Sequence, residues 1–214
     1  MLVNERMTRN PITVREETSL YDALKIMHEN KVRRLPVLNK QGKLVGIVSE
    51  KDLLYASPSP ATSLSVWEIN YLTAKITVRE LMTKKVITIC EDCPLEEAAR
   101  IMVDNKIGGL PVMRGDQLVG IVTETDLFKV FLELLGARTQ GCRFTLLVPD
   151  KKGMLAAMTQ RIAEMGGNII ALGTFLGDDP SNRLITLKVQ DVDKEELWAK
   201  LEELGIKLID VREV

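Results

Sequence analysis

One pattern is written twice in this chain, and that repeat limits the available folds more than any other feature. "KVRRLPVLNKQGKLVGIVSEKD" (31–52) returns as "NKIGGLPVMRGDQLVGIVTETD" (105–126). Met7-Thr8 matches Met82-Thr83, Ile12-Thr13-Val14 matches Ile87-Thr88-Ile89, and Leu35-Pro36-Val37 matches Leu110-Pro111-Val112, all at one offset. A single deletion in the turn near Gly42 then brings "LVGIVSEKDLL" onto "LVGIVTETDLF". Residues 7–54 and 82–128 are therefore one unit used twice. Two copies make no solenoid array. They make a pseudo-symmetric pair that buries a shared face.

Each copy reads alike. A short strand at Ile12–Val14 or Ile87–Ile89 leads to a helix start at Ser19 or Pro94. Leu20, Ala23, Leu24 and Met27, then Leu95, Ala98, Ala99 and Met102, mark the inner face of a helix. "RLPVL" and "GLPVM" read as strands, followed by Gly-containing turns. "LVGIV" is apolar at successive positions, as a strand covered on both faces would be. Ser49 or Thr123 stands where the next helix begins.

Ser49 with Asp52, and Thr123 with Asp126, admit two readings. Each pair can cap a helix, because hydroxyls accept first-turn amides and acids are favoured there. A carboxylate can also accept hydrogen bonds from both ribose hydroxyls. Free amides at a helix start suit phosphate, and arginines such as Arg33 and Arg34 grip it bidentately. The bland alternative for Arg33 and Arg34 is pairing with surface acids. Recurrence in both copies favours a ligand site. Gly108-Gly109 replaces Arg33-Arg34 in the second copy, so the two clefts are expected to bind unequally.

The Leu-Pro-Val strand, the Gly-containing turn and Leu-Val-Gly-Ile-Val-(Ser/Thr)-x-x-Asp together resemble the CBS domain. Their doubling over residues 1 to about 135 resembles a Bateman module. The resemblance implies two units packed through their sheets, with clefts for a regulatory adenine nucleotide (AMP, ADP or ATP) or S-adenosylmethionine. It implies ribose contacts from Asp52 and Asp126, and phosphate or ribose contacts from Ser49 and Thr123. It puts Arg33 and Arg34 on phosphate, and Thr13, Val37, Thr88 and Val112 around the base.

Between the copies, "SPSPATS" reads as a loop whose prolines bar a helix. Leu64, Trp67, Tyr71 and Leu72 are near helical spacing and predict a connector helix anchored by Trp67. Beyond the linker "GARTQG", alternating Phe144, Leu146 and Val148 predict a strand. Leu155, Met158, Ile162 and Met165 predict a helix stopped at "GGN". "IIALGTF" and "RLITLKV" follow as strands, Leu197, Leu201 and Leu204 mark a helix, and Ile209 and Val211 a last strand. The order β-α-β-β-α-β is the ferredoxin-like motif. "TLLVPDKKGMLAAMTQRIAEMGGNI" resembles the ACT domain, a module that dimerises and often binds amino acids. That resemblance implies ligand contacts at Asp150, Lys151, Lys152, Gly153, Asn168 and Ile169. Without a ligand, Asp150 reads as a helix cap.

The expected fold class is α+β: a pseudo-symmetric pair of CBS (β-α-β-β-α) units and a C-terminal ferredoxin-like βαββαβ ACT domain. The expected boundaries are 1–60, a connector helix at 61–81, 82–135, a linker at 136–141, and 142–214. This domain order resembles AcuB-type regulatory proteins of acetoin utilisation.

A formal net charge of −1 and 4% aromatic residues argue against a nucleic-acid partner. No run is long and apolar enough for a membrane span, and "MLVNERMTRNP" is too charged for a secretion signal. Three cysteines cannot all pair within the chain, so cytoplasm is the simplest compartment. Cys90-x-x-Cys93 precedes a helix, where redox or metal chemistry is conceivable, but no second pair completes a zinc site. His28 alone supports neither a metal centre nor a catalytic dyad. No catalytic cofactor is expected. The sequence thus predicts a non-enzymatic ligand sensor, a homodimer acting on a target protein. The alternatives are a small enzyme using adenine nucleotide and a structural scaffold.

Overall fold

The computed structural model describes residues 1–57 and 65–214. The predicted "SPSPATS" loop beyond Ser57 and the predicted role of Leu64 lie outside them, as does the Leu72 side chain. Two compact units emerge, Met1–Leu127 and Phe128–Val214.

The first unit holds both copies. Its elements in order are α1 (Val3–Arg6), β1 (Thr8–Arg9), β2 (Val14–Arg15), α2 (Leu20–Glu29), β3 (Arg34–Leu38), β4 (Leu44–Ser49), α3 (Glu50–Ala56), α4 (Val66–Lys75) and α5 (Val78–Leu81). Then come β5 (Ile89–Cys90), α6 (Leu95–Asn105), β6 (Gly109–Arg114), β7 (Gln117–Thr123) and the start of α7 (Glu124–Leu134). In the first copy β2 runs parallel to β3, and β3 antiparallel to β4. In the second, β5 runs parallel to β6, and β6 antiparallel to β7. The leading strands start at Val14 and Ile89, two residues later than the pattern predicts. Ile12 and Ile87 are exposed instead.

The helices follow the predicted spacing. Leu20, Ala23 and Met27 on α2, and Leu95, Ala98 and Met102 on α6, are buried. The Ser19 side chain accepts the Asp22 amide at 3.1 Å and caps α2. On α4 the expectation fails. Trp67 is 85% exposed, while Thr73 is buried among the described side chains of α4.

The copies exchange their leading segments. Thr8 pairs with Ile121, so β1 is an edge strand of the second copy's sheet. The Val3 amide donates to Cys93 O at 3.0 Å and the Asn4 amide to Glu91 O at 2.8 Å. Reciprocally, Thr83 bridges Ile47, the Val78 amide donates to Thr18 O at 2.9 Å, and Val78 and Met82 lie in the first copy's core. The glycine of each "LVGIV" makes this exchange fit. A β-carbon at Gly46 would overlap the Met82 thioether, and one at Gly120 the Met7 thioether.

The second unit contains β8 (Cys142–Pro149), α8 (Met154–Glu164), β9 (Asn168–Leu176), β10 (Asn182–Gln190), α9 (Lys194–Glu202) and β11 (Lys207–Glu213). The antiparallel sheet has the order β11-β8-β10-β9. Phe144, Leu146, Val148, Leu187, Met158, Ile162, Leu197 and Leu201 join sheet and helices in one core. Leu155, predicted to face that core, is 42% exposed. The observed architecture is the expected α+β class with a ferredoxin-like second unit.

Candidate functional site

Strand register assembles the site. Arg34, first in β3, pairs with Ser49, last in β4, so the arginine and the hydroxyl are held side by side. The chain then turns directly into α3. The Ser49 amide and hydroxyl both donate to Asp52 Oδ2, at 2.9 and 2.6 Å, and the Asp52 amide donates back to Ser49 Oγ at 3.3 Å. This is a reciprocal capping box. The second copy repeats the carboxylate's half of it. The Thr123 amide and hydroxyl donate to Asp126 Oδ2 at 3.0 and 2.8 Å. Both Asp52 bonds fall on one oxygen, which leaves Oδ1 for another donor.

The amides expected to meet a phosphate are largely spent. Glu50 N–H donates to Arg33 O at 2.9 Å, and Asp52 N–H to Ser49. Anion recognition here falls to side chains.

A cleft of about 520 Å³ opens beside this junction, within the usual size of small-molecule sites. Its first wall is Arg33, Arg34, Ile47, Ser49, Glu50, Lys51 and Asp52. The rest of its lining comes from the second copy: Lys106 to Gly109 at the start of β6, where the two glycines meet Arg34, and Thr83, Lys85, Val86 and Ile87 on the exchanged segment, which adjoins the first wall where Thr83 bridges Ile47. The Arg34 side chain is 23% exposed and lies 3.9 Å from Glu124 Oε2, at the first position of α7. Burial lowers its pKa from the ordinary arginine value. Arg33 acts in the same direction, and the Glu124 and Asp52 carboxylates oppose it. Gly108 makes room for this side chain, since a β-carbon there would overlap the guanidinium and the Glu124 carboxylate. The Arg-Arg to Gly-Gly difference between the copies is thus steric.

Of the predicted residues, the cleft gathers Arg33, Arg34, Ser49 and Asp52. Thr13 and Thr88 are not among its lining residues. Val37 and Val112 are fully buried in the sheets and are not among them either. Thr123 and Asp126 sit at the equivalent junction of the second copy, and Asp126 is buried. Sequence reasoning missed Lys51, Lys85 and Lys106. The repeat held a partial signal, because Lys106 occupies the position of Lys31, both left-handed with φ of 54°.

In the second unit, Asp150, Lys151 and Gly153 line a depression of about 350 Å³ with Thr174, Arg183 and Ile185. Asp150 does not cap α8. Gly153 is its N-cap, and Asp150 instead accepts from Arg183 Nε at 3.0 Å. Lys152, Asn168 and Ile169 are not among the lining residues. Asn168 and Ile169 pair with Gln190 and Val189 in the sheet.

Cys90 and Cys93 are joined as a disulfide, with Cα atoms 5.3 Å apart. The argument for a reducing compartment from unpaired cysteines therefore lapses. Cys142 is free, and burial raises its thiol pKa, with the Glu213 carboxylate adding to the rise. His28 is exposed. Among the described residues no cluster of metal ligands forms, and no helix is long and apolar enough to cross a membrane.

Comparison with known proteins matches this geometry. The CBS domain model matches residues 3–59 and 78–133, and a TTHA0829-like ACT domain model matches 140–212. The uncharacterized protein MJ1426 of Methanocaldococcus jannaschii is 37% identical over 157 residues, 62% of this chain and 92% of its own length. MJ1404 of the same organism is 35% identical over 78% of this chain, which spans 42% of that longer protein. A putative acetoin utilization protein (AcuB) of Vibrio cholerae has a solved structure with 33% identity and a TM-score of 0.53, covering 64% of this chain and 95% of that one. The CBS domain pair of MJ0100, solved in complex with 5-methylthioadenosine and S-adenosyl-L-methionine, has 31% identity and a TM-score of 0.52 over 65% and 98% of the two chains. CBSX2, solved in complex with AMP, has 34% identity and a TM-score of 0.50 over 61% and 96%.

Proposed function

The chain belongs to the CBS-domain family, as a CBS pair followed by an ACT domain, and from that premise we propose that it is a non-enzymatic sensor of an adenine nucleotide or adenosyl compound. The observation that carries the reading is the cleft in which Asp52, Ser49 and Arg34 converge. Asp52 Oδ1 takes a ribose hydroxyl, Arg34 takes phosphate, and the apolar wall of Ile47, Val86 and Ile87 packs the base. The ligands of the MJ0100 pair and of CBSX2 support this class of molecule. The ACT domain dimerises or senses an amino acid at the Asp150 depression. Leu54 and Tyr55, each more than half exposed, are apolar surface suited to a second copy of the chain. The protein acts on a target protein, and the likeness to AcuB makes acetoin metabolism the first place to look for it.

Thermal unfolding with AMP, ADP, ATP and S-adenosylmethionine tests the reading. A ligand at a hundredfold its dissociation constant adds about 2.7 kcal/mol when it binds only the folded state. No shift with any of them at millimolar concentration overturns it in favour of a scaffold. Steady conversion of ATP by the purified protein would instead establish the enzyme alternative. Light scattering that finds a monomer at every concentration removes the dimer.

A further inference from the structure

The charge in the cleft exceeds what a nucleoside or a monophosphate needs. Arg33 and Arg34 come from the first copy, with Lys51 on α3. Lys85 and Lys106 line the same cleft from the second. Against these five cations the wall holds two carboxylates, Glu50 and Asp52, and Asp52 already accepts two bonds from Ser49. The helix-start amides are largely spent, so the cations have no backbone competitor for an anion. Lys51, Lys85 and Lys106 are exposed and make no ion pair among the described residues, whereas Arg34 has Glu124.

Resting on the adenine-compound reading, we propose that this cleft selects ligands carrying two or three linked phosphates over AMP, adenosine and the cationic S-adenosylmethionine. Arg34 holds the phosphate nearest the ribose, and Lys85 and Lys106 of the second copy hold the outer ones. A neutral 5′ group gains nothing from these lysines, and a sulfonium is repelled. Each exposed ion pair contributes up to about fivefold in affinity, so the lysines together give a preference of roughly tenfold or more for ATP over AMP. Arg34 and the two lysines belong to different copies, so a polyphosphate ties the copies together through charge as a nucleoside does not.

Calorimetry on the full chain at low ionic strength tests this with ATP, ADP, AMP, adenosine, S-adenosylmethionine and inorganic tripolyphosphate. The comparison protein carries Lys85→Gln and Lys106→Gln, surface changes whose folding is checked by circular dichroism. The expected result is ATP and ADP above AMP, with AMP above adenosine and S-adenosylmethionine, and a variant in which ATP falls to the level of AMP while AMP is unchanged. ATP no tighter than AMP, or S-adenosylmethionine tightest, overturns the proposal and leaves the adenine-compound reading standing. Tripolyphosphate binding that the variant loses, with no adenine compound bound, supports the polyphosphate site and removes the adenine reading. Binding of neither class removes both.

Discussion

Arg34 of the first copy lies across Gly108 of the second, where a β-carbon would overlap its guanidinium. The two residues are adjacent because the copies face each other with Arg33-Arg34 opposite Gly108-Gly109. Four arginines at this seam would crowd and repel, and the glycines give one copy's arginines the space of both.

Gly108→Ala tests that relationship. The obstructed atoms are the ends of flexible side chains, so stability should change by no more than about 0.5 kcal/mol. Arg34 must leave its place, and loss of a charge-assisted hydrogen bond of about 1.5–3 kcal/mol should cut AMP and ATP affinity roughly tenfold or more. Adenosine affinity should hold. Calorimetry with all three ligands reads the difference, and equal losses would show that Arg34 meets no phosphate.

Asp52→Ala and Asp126→Ala should each lower stability by about 1 kcal/mol, since each carboxylate accepts the amide and hydroxyl of the residue that begins its helix. Asp52→Ala should also weaken adenosine, because the ribose partner is gone. Denaturant melts and binding isotherms on the same preparations separate the effects. If Asp52→Ala melts lower but binds adenosine like the wild type, its carboxylate is a cap alone.

Acid stability should depend on Glu80 and Glu91. The Thr77 amide and hydroxyl hold the Glu80 pKa down, and the hydrogen bond from Arg114 holds down that of Glu91. A carboxylate with a lowered native pKa stabilises the fold above its unfolded value of about 4.3 and loses that contribution as pH falls through the native value. These groups should therefore give a flat Tm from pH 7 to 5 and a decline below about pH 4. Glu80→Gln should make the decline shallower, and an unchanged acid limb would contradict the assignment.

Reducing the Cys90–Cys93 bond should cost at most about 2 kcal/mol, because it closes a very short loop. The turn it ties accepts the Val3 and Asn4 amides, so hydrogen exchange should rise there first. A Cys90→Ser, Cys93→Ser protein should match the reduced wild type and ignore reductant. Faster exchange elsewhere but not at Val3 and Asn4 would refute the coupling.

Much of this was legible in the chain because it is local. Ser49 and Asp52 stand at capping-box spacing, and apolar periodicity placed α2, α6 and α8 to within a turn. The second wall of the cleft was not legible. Lys85 and Lys106 meet Arg34 only after two sheets pack, and no spacing along the chain encodes that meeting. Trp67 misled because helical spacing says which residues share a face, not which face is covered. Val37 and Val112 stand on strands that flank the site, and strand spacing alone does not say that both side chains are fully buried.

The exchanged leading segments also set an order of events during synthesis. Residues 3–9 leave the ribosome well before β7, the partner of β1, which is made only at residues 117–123. At about 5–20 residues per second β1 waits on the order of ten seconds for its partner strand. Through that interval Val3 and Met7 have no core to enter, and the first copy lacks Val78 and Met82 until the chain has grown past them. A nascent chain stalled between the copies should therefore be bound by chaperones and cut by proteases. Release past residue 123 should bring protection to both ends of the first unit at once.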